Sequence, residues 1–220
     1  MPDPFSNSAE IWRFRRPQEK RPQTGIKTGF AALDRCLPDG GWRKGCLHEV
    51  IAPAPGHGEV GLVMPALASL SQQRRVGLVG TPFTPYPPAL LAEQVNLSQL
   101  YVIDEVQNSK DVLWAGEQLM RSGTCGGVAV FARKGVDPRS MRRLQLAAEK
   151  GGCLGFVIIY GKVREGSSAA AYRLTIESID GRCQVQVIKA RGGVGSGPLS
   201  WPCTRLSASH TEPIAAIATQ

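Results

Sequence analysis

The chain has 220 residues, 42% of them hydrophobic, with 25 glycines; that is enough for one sizeable globular α/β domain with extensions. Its 26 Lys and Arg against 18 Asp and Glu give a formal charge of +8, which admits nucleic acid or an acidic protein as partner without choosing between them. There is no leader-like apolar segment near residue 1 and no apolar run of about 18 residues, so no membrane association and a cytoplasmic location are expected. Six scattered cysteines without a C-x-x-C pair and three histidines speak against a disulfide frame or a metal centre; buried free thiols and no cofactor are expected.

Residues 1–24 form a basic arm. Over residues 11–27 six positive charges face one negative, with Trp12 and Phe14 set among Arg13, Arg15 and Arg16. Such an arm can hold a nucleic-acid backbone and stack on bases; equally, Trp12 can dock on protein while the arginines stay in water. A core domain is expected over 25–191. The spacing of Phe30, Leu33 and Leu37 predicts a helix over 28–37 capped by Thr28, and Pro38-Asp39-Gly40-Gly41 breaks it. Cys46–Ile51 reads as the first core strand.

The next stretch, Pro53-Ala-Pro-Gly-His-Gly-Glu-Val60, stands between that strand and a helix expected over 60–73. A phosphate-binding loop at this place has the form G-x-x-x-x-G-K-[ST], in which backbone N–H groups surround phosphate, Lys neutralises it and the hydroxyl holds Mg²⁺. Here Pro55, Gly56, His57 and Gly58 keep the loop character, but Glu59 replaces the cation and Val60 the metal ligand. Two like unit charges ~4 Å apart cost about 4 kcal/mol at an effective dielectric of ~20, so a carboxylate there opposes a triphosphate. His57, with no nucleophile or carboxylate pattern around it, reads as a loop residue.

Further strands are expected at 75–80, 100–103, 127–131 and 154–160, separated by helices over 109–121 and from Pro138 to Lys150, the latter capped by Asp137. That alternation implies a mainly parallel sheet flanked by helices. Thr81–Pro88 carries four prolines and is expected to be a stiff loop presenting Phe83 and Tyr86. Alternation around Tyr172, Leu174 and Ile176 and around Val185 and Val187, with Asp180-Gly181 between, predicts a closing antiparallel hairpin. Residues 192–220 are expected to be a flexible tail with a short docking segment at 214–217. Over 133–150 six positive charges face two negative: Arg133 and Lys134 precede the helix, and Arg139, Arg142 and Arg143 share one ridge, able to grip phosphates or acidic side chains.

In order along the chain, Ile26-Lys-Thr-Gly-Phe-Ala-Ala-Leu-Asp34, Gly40-Gly-Trp-Arg-Lys-Gly-Cys-Leu-His-Glu-Val50, Met141-Arg-Arg-Leu-Gln-Leu-Ala-Ala-Glu-Lys-Gly-Gly152 and Arg191-Gly-Gly193 resemble the RecA core, and more closely the ImuA/SulA group of RecA-related proteins. The resemblance covers residues 11–193. It implies a RecA-like P-loop NTPase-type core with a degenerate P-loop. By the same resemblance the catalytic Glu falls near Pro82 and the Mg²⁺-supporting Asp near Phe131 or Ala132, so both roles are lost along with the Lys and the hydroxyl; no ATP hydrolysis is expected. The implied function is that of a non-catalytic adaptor in damage-induced, error-prone translesion DNA synthesis. Its implied partners are RecA, an ImuB-like Y-family polymerase homologue, an error-prone replicative-type polymerase and, through the basic surfaces, DNA. A SulA-like inhibitor of the tubulin-like division protein and an ATP-binding enzyme with an aberrant loop are the alternatives.

Overall fold

The structure, a computed structural model, describes residues 24–104, 108–133, 135–163, 166–192 and 197–202. The apolar runs form β1 (Leu47–Ala52), β2 (Arg75–Val79), β3 (Leu100–Ile103), β4 (Cys125–Ala132) and β5 (Leu154–Tyr160), all parallel. β6 (Tyr172–Ile179) adds parallel to β1; β7 (Arg182–Ala190) and β8 (Leu199–Pro202) follow antiparallel. One eight-stranded sheet results, in the order β3-β2-β4-β5-β1-β6-β7-β8. The helices are α1 (Ala31–Cys36), α2 (Glu59–Ser71), α3 (Pro87–Ala92), α4 (Ser109–Arg121) and α5 (Pro138–Gly151).

β1 and β4 are buried at every position because both faces of the central sheet are covered, which is why they read as unbroken apolar runs. On one face Leu62 and Leu67 of α2 pack with Val50, Phe156, Tyr172 and Leu174. On the other, Met120 of α4 and Met141 and Leu144 of α5 pack with Val128 and Val157. Gly151 lets the ends of α4 and α5 meet: a Cβ there would lie 1.9 Å from the Met120 carbonyl oxygen. Among the five described cysteines four are buried and Cys36 is half-buried, and none is bonded to another of the five. Their burial pushes the Cys153 thiol up to about 12.

The segment before β1 is locked by polar contacts that the sequence did not announce. Arg43 Nε pairs with Asp39 Oδ2 at 2.6 Å, and the Tyr172 hydroxyl donates to the same Asp39 oxygen. The His48 Nε2–H donates to the Arg43 carbonyl at 3.0 Å. His48 is wholly buried between Trp42, Phe156 and Tyr172. Its neighbour Glu49 pairs with Arg173 across β1 and β6 at 3.1 Å.

Three expectations need correction. Thr28 does not cap α1: its hydroxyl is used in a local turn with the Phe30 backbone, and its N–H donates to Asp34 Oδ1, so the helix starts only at Ala31. The proline stretch is not loop throughout. Pro87 and Pro88 open α3, where a missing N–H and a fixed φ cost nothing. The tail is not featureless after 191, since residues 199–202 pair with the edge of β7, and Trp201 stacks on Phe30 with ring centroids 4.2 Å apart. The arm residues Trp12, Arg13, Phe14, Arg15 and Arg16, Lys134, and the docking segment at 214–217 lie outside the described residues. No helix of the described residues is long and apolar enough to cross a membrane.

Candidate functional site

The loop 53–58 leaves the carboxyl end of β1 and enters α2 at Glu59, the arrangement expected from the sequence. Gly58 is the residue before the helix and has φ +93°; a Cβ there would meet Cys183 Sγ at 2.5 Å. Only glycine suits both the left-handed backbone and the close approach. His57 is tied to the neighbouring hairpin, its Nδ1 accepting the Ser178 N–H at 3.2 Å. Pro55 and Gly56 are exposed on top.

The side chain in the cation's place turns inward. Glu59 is 1% exposed. Its Oε1 accepts the Gly56 N–H at 3.1 Å and the Tyr160 hydroxyl, from the end of β5, at 3.2 Å. Oε2 is enclosed with no hydrogen-bond partner, and none of the ion pairs among the described residues includes Glu59. Burial, then the charge and hydrogen bond of Glu59, push the Tyr160 phenol well above its ordinary value, so it keeps its proton and acts as a donor. Val60, in the place of the metal-binding hydroxyl, points outward at 37% exposure.

The resemblance puts the other two roles near Pro82 and near Phe131 or Ala132, and none of these three residues is a carboxylate. Pro82 follows Thr81, whose hydroxyl donates to Asp104 Oδ1 at 2.9 Å. Asp104 follows β3, and β3 lies four strands from β1 in the sheet, a separation of about 19 Å at the usual strand spacing. A Mg²⁺ ligand must come within about 2.1 Å of the ion, so Asp104 cannot serve the loop. Phe131 and Ala132, at the end of β4, are 2% and 3% exposed and pack into the two cores.

The remaining candidates sit on two surfaces. Because β1, β2 and β4 are parallel, Phe83 and Tyr86 after β2, Arg133 after β4 and the loop after β1 all lie at one end of the sheet. Phe83 and Tyr86 are 72% and 68% exposed. Arg139, Arg142 and Arg143 are exposed on α5, on the face away from α2, and α5 begins with the Asp137 cap accepting the Ser140 N–H at 3.0 Å. The three arginines are not equivalent. Arg143 Nη2 is 2.5 Å from Glu117 Oε2, and Arg121 Nη2 is 2.7 Å from Glu117 Oε1. Glu117, buried on α4, therefore claims Arg143 and leaves Arg139 and Arg142 to solvent. The local carboxylate Glu149 is engaged by Gln145 instead.

Sequence reasoning missed Trp114. It lies on α4 at 59% exposure and, with Leu113, Val136, Arg143 and Leu144, lines a groove of about 480 Å³ between α4 and α5. Its signal was present: in the helical pattern of α4 an aromatic occupies a position outside the inward stripe of Val112, Gly116 and Met120. No protein-family model and no curated protein matches this chain.

Proposed function

We propose that the chain is a non-catalytic adaptor built on a RecA-like core, acting by contact in damage-induced, error-prone translesion DNA synthesis. The observation that carries the reading is the inward carboxylate of Glu59 at the head of α2, where a nucleotide-binding protein needs a cation. The resemblance of the motif series to the ImuA/SulA group supplies the partners: RecA, an ImuB-like polymerase homologue and an error-prone replicative-type polymerase, with DNA as a further contact of the basic surfaces.

The groove between α4 and α5 is the contact surface we favour. The Glu117–Arg143 ion pair and Trp114 lie in its lining, and Arg139 and Arg142 are exposed on α5 outside that lining. An exposed aromatic beside arginines is the composition of an interface hot spot. The groove's lining sets the carboxylates of Asp111 and Asp137 beside Lys110 and Arg143, which disfavours a run of phosphates and favours a protein surface with charges of both signs around a bulky apolar side chain.

The test is complex formation between the purified chain and purified RecA, or an ImuB-like subunit, on a sensor surface. Trp114→Ala and Arg142→Glu are expected to lower affinity at least tenfold, about 1.4 kcal/mol, with the melting temperature kept. Arg143 is a poor choice for charge reversal, because a carboxylate there would face Glu117. Binding unchanged in both variants removes the groove from the reading. No binding to either partner removes the translesion role, and filamentous cells on overexpression would move the assignment to the division inhibitor.

A further inference from the structure

We propose that the Glu59 carboxylate is a built-in substitute for a bound oxyanion: it fills the seat between Gly56 and the head of α2 and holds the loop in its occupied form without any ligand. The inference rests on reading the loop as a former phosphate grip and goes beyond it, by saying what took the phosphate's place.

A carboxylate leaves water only where other groups replace its hydration. Here the replacements are a loop N–H, from Gly56, and the Tyr160 hydroxyl. Neither Lys nor Arg among the described residues pairs with Glu59, so the charge is balanced by backbone dipoles, as a phosphate at a helix head is. The helix is 13 residues long, enough for a developed dipole. Oε2 is enclosed without a partner; half of the carboxylate gains no hydrogen bond from its burial, and what favours the group there is its negative charge at the end of α2. Tyr160, kept protonated by burial and by Glu59 itself, donates its O–H to Oε1, as it would to an oxyanion in the same seat. The loop is also pinned from below by Ser178 and Cys183 of the hairpin, so removing the side chain leaves a seat rather than a collapse.

The experiment compares wild type, Glu59→Ala and Glu59→Gln by thermal melting at fixed ionic strength, with inorganic phosphate, pyrophosphate or acetate added. Glu59→Ala is expected to melt below wild type and to regain about 3–5 °C at an anion concentration ~10 times its dissociation constant; wild type is expected not to move. An unmoved Glu59→Ala, or an equal rise in wild type, overturns the inference. Hydrogen exchange at the Gly56 amide gives a second readout in Glu59→Gln, which keeps the shape but not the charge: faster exchange than in wild type is expected, and unchanged protection overturns the inference. Failure of anions to rescue Glu59→Ala leaves the adaptor reading standing, whereas pyrophosphate or nucleotide binding by wild type brings that reading down as well.

Discussion

The end of β1 and the α4–α5 face both carry charged side chains against apolar surface, and they dispose of them in opposite ways. Along β1 and its loop, His48, Glu49 and Glu59 are all turned inward and find their partners within the chain, in Arg43, Arg173, Gly56 and Tyr160. On the helical face Glu117 is buried, while Arg139, Arg142 and Trp114 are left to solvent. The loop after β1 is closed by a side chain of its own helix, whereas the α4–α5 face offers a groove. The difference separates a region whose polar groups serve stability from one whose polar groups are free for contact, and variants in the two should fail differently.

The largest effect is expected on the closed side, from pH. Burial, with a further push from the Arg43 charge and a partial offset from Asp39 and the Arg43 carbonyl, holds His48 down at about 4. The unfolded chain takes up this proton below about pH 6.5, the folded protein only near 4. The stabilisation is therefore complete above pH 6.5 and lost as pH falls towards 4, about 3 kcal/mol in all. Denaturant melts between pH 7 and pH 4 should show that slope, and His48→Leu should flatten it; an equal slope in the variant would place the proton elsewhere.

Next comes Gly58→Ala. A side chain at φ +93° against Cys183 should cost about 2 kcal/mol, most of it the left-handed backbone. A silent substitution would mean that residue 58 does not hold the left-handed backbone at the head of α2. On the open side, Glu117→Gln should cost about 1 kcal/mol, since both of its arginines are half exposed and retain their water, and the loss should shrink in high salt. Smallest of all, Trp114→Ala and Arg142→Glu should each leave unfolding free energy within about 0.5 kcal/mol while weakening partner binding. A large stability loss from either would show that the groove belongs to the core.

Much of the fold was legible because periodicity reports burial directly. The runs at 100–103 and 154–160 became strands at those residues, and Asp137 and Pro138 opened α5 where helix-capping chemistry says they should. What escaped depended on partners distant in sequence. Leu199–Pro202 has no strand signal of its own; it is strand because β7 offers an unpaired edge and Phe30 a ring to stack on. Pro87 read as a breaker because its neighbours were prolines, although at a helix start it is favoured. In the site, the identity of Glu59 was readable but its direction was not: nothing near residue 59 announces a hydroxyl at 160. The arginine ridge was readable as a pattern, yet only the fold reveals that Glu117 claims one of its members.

Filled by the Glu59 side chain, the β1–α2 loop is expected to take no nucleotide. Isothermal calorimetry of the wild-type chain with ATP and Mg²⁺ tests it most directly. No heat of binding is predicted up to millimolar nucleotide; saturable binding with a dissociation constant in the micromolar range or below would contradict it.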